Sequence, residues 1–131
     1  MLFRSWHTCQ LWREWGHGVQ FIPTWWPNDE WHAKLSDAGF VTHQTTAQQL
    51  DSVPELAGST VVSFCNGEFL KVAPLLRQMG CRLVWVNCMT WAFDDELAFI
   101  RDHGPFDKHI YQSRFQRTQL EPKYLSFGYD P

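Results

Sequence analysis

The feature that most limits how this chain can fold is the alternation of short apolar segments with amphipathic helical segments. The stretches 60–65 (TVVSFC) and 82–87 (RLVWVN) are nearly continuous apolar runs, typical of strands covered on both faces. Shorter strands are predicted at 19–22, 40–42 and 108–112, with helical patterns before, between and after them. This alternation predicts an α/β fold of about five strands in one mostly parallel sheet, with helices on both faces.

Two prolines fall inside predicted helices. Pro74 follows several residues of the helix that Asn66 can cap, and we expect it to kink that helix or divide it. Pro122 lies near the end of the last helix and is expected to shorten it.

Composition limits the class of protein. The chain has 131 residues, 44% of them hydrophobic and 19% charged, which predicts a single globular domain over 1–131. The net charge of −3 and the scattered Lys and Arg residues argue against nucleic acid or a membrane surface as the partner. No secretory signal or apolar run of about 18 residues is found, and four cysteines without a CxxC motif suggest reduced thiols. A cytoplasmic protein without a membrane span is the expectation.

The familiar catalytic and cofactor motifs are missing from the sequence. GxGxxG, GxxxxGK[ST], GxSxG and HExxH do not occur, and the six histidines show no ligand spacing with one another or with the cysteines. We therefore predict no metal and no cofactor. The acidic run 94–96 is interpreted as the first turn of a helix.

Polar and aromatic side chains follow four of the predicted strands. The carboxyl ends of parallel strands meet at one edge of a sheet, where ligands usually bind. Amides pair with hydroxyl groups and Trp rings stack on the apolar faces of sugars, so this edge predicts a site for a polyhydroxylated ligand such as a sugar. The candidate binding residues are Trp25, Trp26, Asn66, Asn87, Thr90, Trp91, Gln112 and Ser113.

Each candidate also has a purely structural explanation. Asn66 and Ser113 can be helix N-caps, since each directly precedes a helical pattern, and Ser113 with Gln116 matches a capping box. Asn87 and Thr90 can close a turn between strand and helix, and the three Trp side chains can pack beneath their loops. The functional case depends on their convergence at one edge.

The segment LWREWGHGVQFIPTWW resembles the first helix and second strand of a GT-B glycosyltransferase N-terminal domain, in which a Gly-His pair (here Gly16-His17) ends the helix. The segments VVSFCNGEF, RLVWVNCMTW and KHIYQSRFQRTQLEP resemble the closing strand–helix units of the same half in group-1, family 4-like enzymes. The resemblance implies a three-layer, Rossmann-like domain that forms the acceptor-side wall of a cleft. By position, six of the candidates would fall on that cleft: Asn66, Asn87, Thr90, Trp91, Gln112 and Ser113.

The chain departs from this family at both ends. Only residues 1–5 precede the first helix, where the family has a strand and a glycine-rich loop, and the sequence ends at 128–131, before the donor-binding domain. We therefore expect a truncated or stand-alone domain with weak or no sugar transfer by itself, and a homodimer that covers the incomplete sheet. The alternative is a non-catalytic α/β module that binds a small ligand or a protein. A response-regulator-like domain is disfavoured because the strand ends lack an acidic pocket.

Overall fold

The computed structural model describes residues 2–23 and 29–128. The chain divides into two compact units, which we call unit 1 (1–53) and unit 2 (54–131). The single domain over 1–131 remains a prediction, which this division into two units does not decide. The candidate binding residues Trp25 and Trp26 lie outside the described residues.

The described residues of unit 1 form two helices, two short strands and a 3₁₀ helix. In chain order these are α1 (Leu2–Glu14), β1 (Gln20–Phe21), α2 (Asp29–Asp37), β2 (Val41–Thr42) and the 3₁₀ helix Ala47–Ser52. The two strands pair in parallel, with Gln20 opposite Val41.

An aromatic cluster forms the core of unit 1. Trp6 packs edge-on against Phe40, with ring centroids 5.7 Å apart, and Leu35 completes the buried group with Cys9. The guanidinium of Arg13 lies 4.3 Å from the centre of the Phe40 ring, a cation–π contact. The chain has eight Trp and ten Phe residues, and packing in this cluster explains part of that content.

Unit 2 has the regular alternation that the sequence predicts. Its elements are β3 (Thr60–Phe64), α3 (Gly67–Gln78), β4 (Arg82–Asn87), α4 (Asp94–His103), β5 (Lys108–Tyr111) and α5 (Arg114–Leu125). The strand order is β3-β4-β5 and both pairs are parallel. Trp85 at the centre of β4 is fully buried and stacks on Phe106, which stacks in turn on Phe99 of α4.

The α/β fold class is confirmed, and the architecture is consistent with a Rossmann-like fold. All described strand pairs are parallel, but the five strands form a two-stranded and a three-stranded sheet rather than one. Local sequence predicts that a segment is a strand, whereas its pairing depends on contacts distant in sequence.

The division of α3 and the shortening of α5 were wrong expectations. Both helices run past their prolines, Pro74 and Pro122, as single elements. An internal proline costs about 3 kcal/mol. In α3 the flanking Ala73 and Leu76 are buried, and in α5 the fully buried Tyr124 lies beyond the proline, so packing offsets this cost.

Two smaller findings complete the description. Across the described residues, no helix has the length and apolar character that a membrane span needs. The four cysteines are all free thiols, three of them buried: Cys9, Cys65 and Cys81.

Candidate functional site

The candidate site is the edge of unit 2 at which β3, β4 and β5 end. Phe64 lies opposite Val86, and Asn87 lies opposite Tyr111, so the three strands finish nearly level. The turns that follow them, 65–66, 88–93 and 112–113, therefore share one edge, which we call the rim. Ligands of parallel α/β sheets bind at this kind of edge.

A tight turn joins β3 to α3 at the rim. Cys65 adopts a left-handed conformation with φ of 54°, which is uncommon for a residue other than glycine. Asn66 then caps α3, because its Oδ1 accepts a hydrogen bond of 3.0 Å from the backbone N–H of Glu68. The structure thus gives Asn66 the N-cap role considered among the alternatives.

Burial and neighbouring groups control the thiol of Cys65. Burial raises the pKa of the Cys65 thiol, and the nearby Glu96 raises it further, while the backbone N–H groups of Cys88 and Met89 oppose the shift. Cys65 is therefore next to the turn that follows β4. A buried thiol with a raised pKa is a poor nucleophile at neutral pH.

The turn between β5 and α5 is fixed by a second cap. Ser113 Oγ accepts a hydrogen bond of 3.1 Å from the N–H of Gln116, as the predicted capping box requires. In a capping box the Gln side chain usually accepts from the N–H of the N-cap residue. Here Gln116 Oε1 instead accepts from the N–H of the preceding residue, Gln112, at 2.6 Å. The side chain of Gln112 is exposed, and its Nε2 lies 3.9 Å from the sulfur of Cys88, which places it beside the β4–α4 turn.

Gln116 connects two turns of the rim. Its Nε2 donates to the carbonyl oxygens of Asn87 at 2.9 Å and Met89 at 2.6 Å, and its side chain is buried. Sequence reasoning identified Gln116 only as part of a cap. The spacing of Gln116, Leu120 and Tyr124, four residues apart on the inner face of α5, is the signal that indicates burial.

Asn87 lies beneath the rim rather than on its surface. Only 2% of this residue is exposed. Its Nδ2 donates to the carbonyl of Ile110 at 3.1 Å, and its Oδ1 is 2.7 Å from the hydroxyl of Tyr124. Its hydrogen bonds are thus made inside the fold, where they join β4 to β5 and α5.

Thr90 and Trp91 lie on the surface, in the turn between β4 and α4. Trp91 is 53% exposed, and Met89 and Phe93 in the same turn are also exposed. The rim therefore presents an indole, the Thr90 hydroxyl and, next to Cys88, the amide of Gln112. These groups can stack on a ring and pair with hydroxyl groups.

A buried acid lies under the rim, at the first turn of α4. Glu96 has no exposed surface, and its Oε1 is hydrogen-bonded to the hydroxyl of Tyr124. Burial raises the pKa of Glu96 to about 7, against the lowering effect of the Tyr124 hydroxyl and the Phe93 backbone N–H. Sequence reasoning treated Glu96 as part of the acidic first turn of a helix and missed that it lies on the same buried face as Phe99 and Ile100.

The hydrogen bonds of Tyr124 indicate where the proton is. A hydroxyl group has one proton, and the side-chain Oδ1 of Asn87 can only accept. When Tyr124 donates to Asn87, the second bond requires a proton from Glu96. The geometry therefore fits a neutral, protonated Glu96, in agreement with its raised pKa.

His109 is a second buried titratable group near this network. It lies on β5 with its ring 4.4 Å from that of Tyr124. Burial lowers the pKa of His109 to about 4, so its ring is neutral over most of the pH range. Within the described residues, no group of three His, Cys, Asp or Glu side chains could hold a metal ion.

Comparisons with protein-family models, with curated proteins and with solved structures give no significant match.

Proposed function

We propose that this chain is a glycosyltransferase-like domain of the GT-B type that binds the sugar part of an acceptor or nucleotide-sugar at the rim. The observation that carries the proposal is the exposed indole of Trp91, beside Thr90 and in the same turn as Cys88, which contacts Gln112. An indole that stacks on a sugar ring, with amide and hydroxyl groups around it, is a suitable combination for a polyhydroxylated ligand.

The buried network supports the proposal because it holds the rim in place. Gln116 fixes the backbone at both Asn87 and Met89, and so restrains the turn that presents Trp91. A binding group that is already ordered loses less entropy when a ligand arrives.

Sugar transfer by GT-B enzymes takes place between two domains that close on each other. Closure excludes water and assembles the catalytic groups. We therefore expect this chain to bind sugar ligands but to transfer sugar weakly or not at all by itself. Rapid transfer from common nucleotide-sugars by the isolated chain would contradict this part of the proposal.

Fluorescence titration with UDP-glucose, GDP-mannose and neutral oligosaccharides tests the binding. The chain contains eight Trp residues, so variants must assign the signal. Loss of a stacked indole in Trp91→Ala should weaken binding about five- to tenfold. Trp15→Ala is the matched control, since Trp15 is 65% exposed and belongs to unit 1. Equal effects of the two substitutions, or no binding of any saccharide, would contradict the proposal.

A protein-binding module is the second candidate. Met89, Trp91 and Phe93 are three exposed apolar side chains in one short turn, a pattern typical of a contact surface. This candidate gains support when no saccharide binds.

Self-association and a cytoplasmic location also remain proposals. β5 is at the end of the strand order among the described strands, and its Ile110 is exposed. An edge strand with an exposed apolar residue favours pairing with a second copy, which supports the expected homodimer.

A further inference from the structure

Unit 1 contains a polar pocket that the proposed function does not use. It is a depression open to solvent that lies where β2 ends, and it has a volume of about 320 Å³. Its polar lining comes from the end of β2, the following loop and the 3₁₀ helix: Thr42, His43, Gln44, Thr45, Gln49 and Ser52. The buried Val53 forms an apolar part of the wall.

The pocket is rich in hydroxyl and amide groups. Among its lining residues, all of them in the described part of the chain, there is no Lys, Arg, Asp or Glu. Recognition of a phosphate or carboxylate group usually depends on Arg or Lys side chains. The lining therefore favours a ligand without formal charge.

Several polar atoms of the pocket are oriented by bonds to unit 1 itself. Ser52 Oγ donates to the carbonyl of Gln49 at 2.6 Å, and Gln49 Oε1 accepts from the Thr46 hydroxyl at 3.3 Å. Ser52 therefore keeps oxygen lone pairs that can accept, and Gln49 keeps an NH₂ group that can donate.

His43 is held in a similar way. Its backbone N–H donates to the carbonyl of Phe21 at 2.8 Å, and its ring Nε2 is hydrogen-bonded to Oε1 of Gln20. Since Gln20 Oε1 is an acceptor, Nε2 is the donor in this bond, and in the Nε2–H tautomer Nδ1 has a lone pair that can accept from a ligand.

We propose that this pocket binds a neutral polyhydroxylated ligand of about one sugar ring. Ser52, His43 and Gln49 all line this pocket and carry acceptor and donor groups, and a hydroxyl group of a ligand can pair with either type. The volume suits a single ring better than a nucleotide-sugar. This proposal is independent of the rim, because every lining residue belongs to unit 1.

Two-dimensional ¹H–¹⁵N NMR of the full chain tests the proposal. Glucose, galactose and mannose are added separately up to about 100 mM, because weak, millimolar binding is expected when a few neutral hydrogen bonds provide the affinity. Inorganic phosphate is the charged comparison. At least one hexose should shift amides within 42–53 in a saturable manner, and phosphate should not shift them.

Two variants test whether hexose binding depends on a residue that lines the pocket. Gln49→Ala removes the NH₂ donor and should weaken hexose binding about three- to tenfold. Gln48→Ala is the control, because Gln48 is exposed on the same 3₁₀ helix but does not line the pocket. The proposal is overturned if no hexose shifts amides 42–53, if phosphate shifts them more strongly, or if both variants weaken binding equally. Binding at the rim alone would also overturn it, while leaving the proposed function intact.

Discussion

Replacement of Glu96 by Gln should stabilise the chain relative to the wild type, and this stabilisation should be larger at neutral pH than at acidic pH. Burial raises the pKa of Glu96 from its ordinary value of 4.5 to about 7. The folded state therefore holds a proton that the unfolded state releases between these pH values. As the pH rises through this window, the wild type loses stability.

The expected magnitude follows from the size of the shift. Each pKa unit corresponds to about 1.4 kcal/mol, so the loss between about pH 4.5 and pH 7 is on the order of 3 kcal/mol. Gln has the shape of a protonated Glu and can donate to Tyr124, but it does not ionise. The stability of Glu96→Gln minus that of the wild type should therefore grow by about 3 kcal/mol over this range.

The stability of Glu96→Gln is compared with that of the wild type at each pH, because His109 also titrates in a similar pH range. Its lowered pKa of about 4 gives the opposite slope, with stability that rises from about pH 4 to the ordinary histidine pKa near 6.5. This slope is present in both proteins and cancels in the difference.

Urea unfolding at a series of pH values, followed by circular dichroism and Trp fluorescence, provides the measurement. Asp95→Asn is the matched control, since Asp95 lies in the same first turn of α4 but is exposed. Its stability difference from the wild type should change little between about pH 5 and pH 7, because the Asp95 side chain is exposed to water in the folded state, as it is in the unfolded state. A stability difference between Glu96→Gln and the wild type that does not change with pH would refute the claim that the buried Glu96 is protonated.

Two further predictions concern the rim and the assembly. Gln116→Ala should cost about 1–3 kcal/mol, because it leaves the buried carbonyl of Asn87 and the partly buried carbonyl of Met89 without this donor. Amides in 88–93 should then exchange hydrogen faster, and unchanged exchange would show that Gln116 does not restrain the turn. Light scattering at micromolar concentration should give the mass of two chains of 15.4 kDa, and a monomeric mass would exclude the homodimer.

The strands β3 and β4 were predictable because each is a nearly continuous apolar run. The prediction for β4, 82–87, matches the structure residue for residue, and β3 differs by one residue, at Cys65. Caps at Asn66 and Ser113 were also predictable, since a side-chain oxygen before a helical pattern has a local function. These features depend on near neighbours in the sequence.

Features that depend on distant neighbours were not predictable in the same way. Glu96 looks like its exposed neighbour Asp95 in the sequence, and only the packing of α5 shows that it is buried under Tyr124. The continuation of α5 past Pro122 also depends on packing, because the buried Tyr124 stabilises the last turn of the helix. The distribution of five strands over two sheets is likewise a matter of long-range pairing.

For the rim, sequence predicted which residues follow the strands but not which of them are exposed. Thr90, Trp91 and Gln112 are at the surface, whereas Asn87 is bonded inside the fold. The difference arises because Asn87 is still part of β4, in register with Tyr111, and its side chain faces α5.

The most direct test of the proposed function is NMR mapping of UDP-glucose on the full chain. The account predicts saturable shifts of the backbone amides of Thr90, Trp91 and Gln112 and of the Trp91 indole N–H, all of which are reduced in Trp91→Ala. Saturable shifts confined to residues away from 88–93 and 112–113, or no shift at millimolar ligand, would contradict a sugar site at the rim.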